Sequence, residues 1–215
     1  MSNHQMRIER VAVFAHGAPL VALDATIAGG EVLTVMGPSG VGKSTLLAAI
    51  TGTLPPGFHM TGRVVLNGVD VTDQPPRARR IGILFQDDLL FPHLSVAGNL
   101  AFGLRPGKGN ARARRALIDT ALDDIGLTGF GDRDPATLSG GQKARVALMR
   151  MLLSDPAALL LDEAFSRLDA DRRAQIRDLV FTRARQRNLP VLMVTHDAED
   201  ARAAGGPVID LHPPS

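Results

Sequence analysis

The stretch that decides the fold is VLTVMGPSGVGKSTLLAAI, residues 32–50. An apolar run, VLTVM, leads into a glycine-rich turn, which leads into an apolar helical segment, TLLAAI. The turn GPSGVGKST matches the pattern G-x-x-x-x-G-K-[ST] in full, between a predicted strand and a predicted helix as the pattern requires. A glycine-rich turn without a ligand is the alternative, which the complete match disfavours. The sequence therefore predicts a loop that binds the phosphates of a nucleotide.

Each part of this loop has a chemical reason. Glycines allow backbone N–H groups to surround phosphate oxygens, and the positive end of the following helix attracts the anion. Lys43 can reach the β- and γ-phosphates, and the Ser44 hydroxyl can ligate Mg²⁺. The predicted nucleotide-binding residues are Gly37, Pro38, Ser39, Gly40, Val41, Gly42, Lys43, Ser44 and Thr45.

Composition limits the class of protein. The 215 residues are 45% hydrophobic and 21% charged, which is typical of a globular domain with a full core. A net charge of +2 gives no indication of a strongly charged partner, and no nucleic acid is expected. The absence of cysteine excludes a disulfide framework and thiolate chemistry. No apolar run reaches the roughly 20 residues of a membrane helix, and the charged start MSNHQMRIERVAVF is unlike a signal peptide, so we expect a cytoplasmic protein.

The apolar pattern predicts an α/β fold. Continuous apolar runs predict the buried strands of a sheet that is covered on both faces, at residues 32–37, 80–86, 158–164 and 190–196. In three other segments apolar and polar residues alternate more: RIERVAVF, VALDATI and RVVLNG. This alternation predicts an antiparallel portion at the edge of the fold. Helices are expected after Gly42, Ser95, Ala111, Ser139 and Ala170.

The middle of the chain differs from its flanks. It lacks strong strand signals and carries the arginine-rich helical segment ARARRALIDTALDDIGL. We therefore expect one domain over residues 1–215, with a core formed by 1–86 and 156–215 and an inserted helical lobe at 87–155.

Polar residues follow three of the predicted core strands: Asp162 and Glu163 after ALLL, Gln86 after GILF, and His196 after LMVT. Ligands bind at the carboxyl ends of such strands. There an aspartate can hold Mg²⁺, a glutamate can orient and polarise a water molecule, and a histidine can donate a hydrogen bond to a γ-phosphate. Ordinary charged strand ends and a structural histidine are the alternatives. The predicted catalytic residues are Glu163, His196, Lys43 and Gln86, and the predicted Mg²⁺ ligands are Ser44, Gln86 and Asp162.

A second phosphate-binding pattern lies about a hundred residues beyond the first. The segment LSGGQKARVALMR, residues 138–150, offers a hydroxyl, two glycines and a helical run, which is also the pattern of a serine-capped helix. The phosphate loop, Gln86, LSGGQ, LLLDE and TH follow one another in that order. This arrangement resembles the nucleotide-binding subunit of an ATP-binding cassette (ABC) transporter, over residues 7 to 210 or so. More narrowly, RRIGILFQDDLLFPHLSVAGNL, DPATLSGGQKARVAL and FSRLD are similar to the ATPase of the Ynj-type bacterial importers, with thiamine-importer ATPases next.

The resemblance implies the ABC ATPase fold, with a P-loop NTPase core of the RecA-like type, and the hydrolysis of ATP with Mg²⁺. It also implies a reason for two phosphate-binding patterns in one chain. In this family two copies pair head to tail, and each ATP lies between the P-loop of one copy and the LSGGQ helix of the other. The resemblance implies that Ser139, Gly140 and Gly141 hold the γ-phosphate of the partner's ATP. Gln142 and Asp169 are further expected nucleotide-binding residues, and the loop SRLD, which contains Asp169, resembles the family's interface-crossing loop.

Two further positions gain an expected role from the resemblance. Phe14 stands where the family has an aromatic ring that stacks on adenine; core packing is the alternative for it, and His16 is a second choice for the ring. The segment DDLLFPHLSV resembles the surface that receives a coupling helix from an integral-membrane permease. The apolar side chains of this segment are Leu89, Leu90, Phe91 and Leu94. They are either exposed to receive the coupling helix or packed inside the helical lobe.

The expected function is the ATP-hydrolysing motor of a bacterial ABC transporter. The resemblance favours a small-solute importer on the inner face of the cell membrane, acting with a permease and indirectly with a solute-binding protein. A soluble ABC ATPase acting on nucleic acid or ribosomes is the alternative, although such proteins usually fuse two cassettes or insert long coiled coils. A small-molecule kinase would leave LSGGQ without a role.

Three features depart from the family pattern. Ala164 replaces a usual proline, and Arg167 occupies a loop position that is often alanine. The chain stops at VIDLHPPS, so we expect a reduced closing hairpin and helix and no regulatory domain.

Overall fold

The computed structural model describes residues 4–87, 89–105, 107, 109–166, 168 and 170–212. The strands are β1 (Gln5–Ala15), β2 (Ala18–Ala28), β3 (Val32–Met36), β4 (Phe58–Leu66), β5 (Val69–Asp70), β6 (Ile81–Phe85), β7 (Ala158–Asp162), β8 (Val191–Val194) and β9 (Val208–Asp210). The helices are α1 (Lys43–Thr51), α2 (Pro76–Arg79), α3 (Val96–Gly103), α4 (Ala111–Asp124), α5 (Gly140–Leu153), α6 (Ala170–Gln186) and α7 (Ala198–Ala204), with a 3₁₀ turn at Pro135–Thr137. Within these described ranges no helix is both long and apolar enough to cross a membrane.

The central sheet contains the four continuous apolar runs. Its strand order is β6-β7-β8-β3-β9, and β7, β8, β3 and β9 pair in parallel. Every residue of β8 is buried, as are the first four of β7, because this part of the sheet is covered on both faces. The α/β prediction is confirmed. The edge strand β9 is an addition, since its three residues are too few and too exposed to give an apolar signal.

The alternating segments form a separate antiparallel sheet with the order β2-β1-β4-β5. Strand β1 pairs with both β2 and β4 and shows a register shift near Glu9. Its buried residues, among them Met6, Ile8 and Val13, join the same apolar cluster as Leu46 and Ile50 of α1. Each of these side chains contributes roughly 1.5–3 kcal/mol through burial. The helix that follows the phosphate loop is therefore fixed along its apolar face.

The predicted helices are present, and two short helices, α2 and α7, join them. Ser95 begins α3 by accepting a hydrogen bond from the Gly98 amide at 3.1 Å, and Asn110 caps α4 in the same way through Ala113. Helix α5 ends at Leu153, shortly before Pro156, whose ring disfavours a helical residue in front of it.

The chain divides into two compact units. The first contains the described residues of 1–83, 157–163 and 181–215, and the second those of 84–156 and 164–180. The first unit holds the phosphate loop and the ends of β7 and β8. The second unit holds the LSGGQ segment, together with the first part of α6.

Candidate functional site

The phosphate loop connects β3 to α1. Residues Pro38 to Gly40 are exposed, and the helix begins at Lys43 directly after Gly42. Gly42 has a φ of 99°, and a Cβ atom at this position would lie 3.0 Å from Val21 Cβ. Both the conformation and the available space therefore require glycine. Because Gly42 has no side chain, no side chain caps the start of α1, and the first turn presents backbone N–H groups to the loop.

Lys43 lies across this loop. Its side chain is 6% exposed, and Nζ donates hydrogen bonds to the Gly37 carbonyl at 2.7 Å and to the Pro38 carbonyl at 3.0 Å. The ammonium group is thus held over the concave side of the turn, where a phosphate would meet it together with the backbone amides.

Ser44 joins the loop to the end of β7. Its Oγ donates a hydrogen bond to Asp162 Oδ1 at 3.2 Å. Burial raises the pKa of Asp162, and the negative charge of the neighbouring Glu163 raises it further. The hydrogen bond from Ser44 and the positive charge of Lys43 act in the opposite direction and lower this pKa. A carboxylate that has lost part of its hydration is stabilised by a nearby cation. Hydroxyl and carboxylate oxygens are ligands that Mg²⁺ prefers, so the pair fits this ion.

Glu163 and His196 meet at the ends of neighbouring strands. The distance between Glu163 Oε1 and His196 Nδ1 is 3.2 Å. Glu163 has a positive φ of 46°, and its backbone amide donates to the Val194 carbonyl at 3.0 Å. The Glu163 side chain is 25% exposed and that of His196 is 58% exposed, so both can meet a ligand. Thr195, between β8 and His196, is 3% exposed and stabilises the turn by accepting from the Asp197 amide.

The first unit thus brings together Lys43, Ser44, Asp162, Glu163 and His196. Parallel strands place their carboxyl ends at the same edge of a sheet, which is why residues from three distant segments meet there. Chemically, the group offers an anion cradle, a cation site and a carboxylate that can accept a proton.

Gln86 belongs to the other unit. It is exposed, one residue beyond β6. Asp169 and Arg167 lie outside the described residues. Ala164 lies in the turn after β7 and is half-buried.

The LSGGQ segment forms a reciprocal cap at the start of α5. The Ser139 hydroxyl accepts a hydrogen bond from the Gln142 amide, and Gln142 Oε1 accepts one from the Ser139 amide at 2.9 Å. The side chain of Gln142 therefore has a structural role, which the pattern S-x-x-Q signals and the sequence interpretation missed. Ser139 and Gly140 are exposed, and a Cβ atom at Gly140 would meet nothing within 4 Å. Gly141 is buried and faces the Arg172 side chain, 3.2 Å from where a Cβ would lie.

Phe14 is half-buried and is not among the residues of the apolar cluster that contains Met6 and Ile50. Its ring stacks on His59 with a centroid distance of 4.8 Å and an interplanar angle of 6°. His16 is exposed, and its ring is tilted against Phe58 at 6.1 Å. Sequence reasoning did not find His59, because its place beside Phe14 depends on the register between β1 and β4.

The segment after Gln86 is divided between the surface and the second unit's interior. Leu89 is 57% exposed, whereas Leu90, Phe91 and Leu94 are half-buried. Phe102 of α3, which the sequence interpretation missed, is 68% exposed and packs its ring edge-to-face on Phe91 at 4.5 Å. We refer to Leu89, Phe91 and Phe102 as the apolar surface. Phe85 and Leu117 are further exposed apolar residues of the same unit.

This surface is fixed from beneath by polar groups. Asn99 is fully buried, accepts a hydrogen bond from the Phe91 amide at 2.8 Å and donates to the Phe91 carbonyl at 3.1 Å. Arg150 of α5 donates to the Leu89 carbonyl at 2.9 Å and lies over the Phe91 ring. The apolar surface and the helix that begins with LSGGQ are therefore connected within one unit.

Comparison with known proteins agrees with this geometry. The family model described as ABC transporter matches residues 20–166. The chain is 47% identical to the ABC transporter ATP-binding protein YnjD of Escherichia coli (strain K12) over 192 residues, which is 89% of this chain and 88% of the relative. It is also 47% identical to the thiamine import ATP-binding protein ThiQ of Cereibacter sphaeroides over 179 residues, which is 83% of this chain and 76% of the relative.

A third relative is the sulfate/thiosulfate import ATP-binding protein CysA of Synechococcus elongatus. It is 42% identical over 190 residues, which is 88% of this chain and 54% of the relative. The phosphate loop, the acidic strand end and the serine-capped helix all lie within or near the matched range. The chain therefore belongs to the ABC transporter family, and it is an ATP-binding, ATP-hydrolysing subunit of that family.

Proposed function

We propose that this chain is the motor of a bacterial importer for a small solute. Two of the relatives carry import in their names, one for thiamine and one for sulfate and thiosulfate. This favours transport over a soluble ABC ATPase that acts on nucleic acid or ribosomes. The contacts of Ser44 with Asp162 and of Glu163 with His196 carry the ATP-hydrolysing part of the proposal, and the import relatives carry the transport part.

ATP binds through its phosphates to the loop at residues 37–45. Backbone amides and the start of α1 receive the anion, and the Lys43 ammonium exchanges its carbonyl partners for β- and γ-phosphate oxygens. Ser44 and Asp162, both in the first unit, would hold Mg²⁺. When bound, this ion supplies charge neutralisation at the phosphates.

Glu163 is the group that orients and polarises the attacking water. His196 reaches the Glu163 carboxylate through Nδ1, and its other ring nitrogen, Nε2, lies on the far side of the imidazole. One ring can thus fix the carboxylate and hydrogen-bond to a γ-phosphate oxygen. Both effects favour the transition state, because the charge that develops on the phosphate meets donors already in place.

A second copy of the chain completes each ATP site. The exposed Ser139 and Gly140 at the start of α5 offer an anion-binding helix end. We assign these two residues, with Gly141, to the γ-phosphate of the partner's nucleotide. Two copies in a head-to-tail arrangement then share two nucleotides, and ATP drives closure because it contacts both copies at once.

The apolar surface formed by Leu89, Phe91 and Phe102 is the docking site for an integral-membrane permease. Leu89 and Phe102 are exposed, and the Phe102 ring packs on Phe91. Exposed apolar side chains of this kind are typical of an interaction surface. The chain would thus lie at the cytoplasmic face of the membrane. A solute-binding protein would act with it indirectly, through the permease.

A pull-down tests this proposal. Tagged Glu163→Gln protein, which we expect to retain ATP without hydrolysing it, is incubated with Mg-ATP and detergent-solubilised host membranes, and mass spectrometry identifies the bound proteins. Recovery of a multi-span permease supports the importer. Recovery of ribosomal or DNA-repair proteins without a permease would contradict it.

A further inference from the structure

Phe14 does not stand alone on its sheet. The register between β1 and β4 places Phe14 opposite His59, and the two rings lie 4.8 Å apart and nearly parallel, at 6°. Cross-strand neighbours on one face of a sheet are the pairs that can stack in this way. The contact is therefore a consequence of strand pairing and not of the local sequence.

The position of this stack argues against a purely structural role. Phe14 is half-buried and His59 is exposed, and neither belongs to the apolar cluster beneath the sheet. The chain has neither tryptophan nor tyrosine, so phenylalanine and histidine are its flat aromatic rings. Here two of them lie parallel at the surface of the unit that carries the phosphate loop.

The stack restricts the Phe14 ring. An aromatic ring near the surface loses conformational freedom when a ligand stacks on it, and that loss weakens binding. A neighbouring ring that already fixes its plane removes part of this cost. Because His59 covers one face of Phe14, a second flat partner would meet the opposite face.

We infer that His59 is a positioning residue for the base of the bound nucleotide. The inference rests on the proposed function and on the expectation, from the family resemblance, that adenine stacks on Phe14. His59 holds the Phe14 ring in a fixed plane, and the purine completes a stack of three rings. His59 acts on the base alone, because the phosphates bind to a separate loop.

Binding of two ligands by the full-length protein tests the inference. ATP carries a base, whereas inorganic triphosphate carries the phosphates alone, and calorimetry gives the dissociation constant of each. His59→Ala should weaken ATP binding by about three- to tenfold and change triphosphate binding by less than about twofold. His59→Phe, which keeps a flat ring, should restore ATP affinity. Thr61→Ala, at another exposed position of β4, is the matched control and should change neither constant.

The outcomes separate this inference from the placement of adenine. If Phe14→Ala weakens ATP binding but His59→Ala does not, the inference is wrong and the proposed site stands. If Phe14→Ala leaves ATP affinity unchanged, the base does not lie at Phe14 and both ideas fail. An equal loss for ATP and triphosphate in His59→Ala, or tighter ATP binding, would also overturn the inference, since His59 would then act on the loop or compete with the base.

Discussion

Ser44 Oγ donates a hydrogen bond to Asp162 Oδ1 over 3.2 Å, across 118 positions of the chain. The strands that carry the two segments are not neighbours, because β8 lies between β3 and β7. The contact joins the first turn of α1, which follows the phosphate loop, to the end of β7. It brings a hydroxyl and a carboxylate to one point, which is the basis of the proposed Mg²⁺ site.

Replacement of Asp162 tests this cation site. In Asp162→Asn the amide oxygen can still accept from Ser44, but the negative charge is lost. We expect the Mg²⁺-dependent ATPase rate to fall by about 100-fold or more, while ATP binding in EDTA stays close to that of the wild type. Asp210→Asn, at the exposed end of β9, is the matched control. A normal rate and a normal Mg²⁺ dependence in Asp162→Asn would remove Asp162 from the site.

Because Glu163 and His196 are in contact, we predict that substitution of either residue slows ATP hydrolysis. Glu163→Gln and His196→Ala should each lower kcat by about 10²- to 10⁴-fold, because one removes the water-orienting carboxylate and the other its partner. The dissociation constant for ATP should change little, since the loop at residues 37–45 is intact. Steady-state hydrolysis and fluorescent-nucleotide binding measure the two quantities. Glu199→Gln, on the exposed face of α7, is the control. Hydrolysis at the wild-type rate by Glu163→Gln would contradict the assignment of Glu163 as the residue that orients the attacking water.

Alanine substitution at two glycines of the phosphate loop distinguishes the cost of a strained backbone conformation from the cost of a steric clash. Gly40 and Gly42 both have positive φ, but a Cβ meets nothing within 4 Å at Gly40 and lies 3.0 Å from Val21 Cβ at Gly42. Gly40→Ala should therefore cost about 1 kcal/mol of unfolding free energy, and Gly42→Ala about 2–4 kcal/mol. Urea denaturation without nucleotide measures both values. Equal losses would show that the loop relaxes away from Val21.

Mixing two inactive variants tests the head-to-tail arrangement. Lys43→Ala removes the phosphate contact of one copy, and Gly140→Arg blocks the helix end that the other copy offers. The added arginine begins in open space within its own chain, so the fold should tolerate it. Each variant alone should be inactive. In a mixture, a dimer of one copy of each keeps one intact site, and we expect about a quarter of the wild-type rate.

The result of this mixture is informative in both directions. Activity that stays at the level of the single variants would contradict shared sites. Full activity of Gly140→Arg alone would show that the start of α5 does not contact a nucleotide.

The exposed ring of Phe102 predicts a defect in permease binding without a defect in the ATP site. Phe102→Ser should lower permease recovery in the pull-down by about tenfold, because a large part of an aromatic anchor is lost. Its ATP affinity should be unchanged. Leu117→Ser, at an exposed apolar position of α4, is the matched control. Equal recovery for the two variants would place the docking surface elsewhere.

Much of this protein could be predicted from short patterns. The phosphate loop needs only a strand, a glycine-rich turn and a helix, all within residues 32–50, and the structure has each of them. The apolar runs that form β7 and β8 were equally clear, because strands buried on both faces need no alternation. The motif order was sufficient to identify the family, which the comparisons confirm.

Contacts that depend on strand register or on packing could not be predicted in this way. His59 stacks on Phe14 because β1 and β4 pair in one register, and a shift of one residue would place it on the other face. The exposure of Phe102 depends on which side of α3 packs against α5, and its short apolar run does not reveal that side.

The sequence by itself determined the chemistry of the site: a phosphate loop, an acidic strand end, a histidine after a strand and a second serine-capped helix. Local patterns encode these because each depends on residues only a few positions apart. Tertiary structure alone decided which groups meet. The hydrogen bond from Ser44 to Asp162 and the contact of His196 with Glu163 exist because parallel pairing in the order β7-β8-β3 brings the ends of distant strands to one edge.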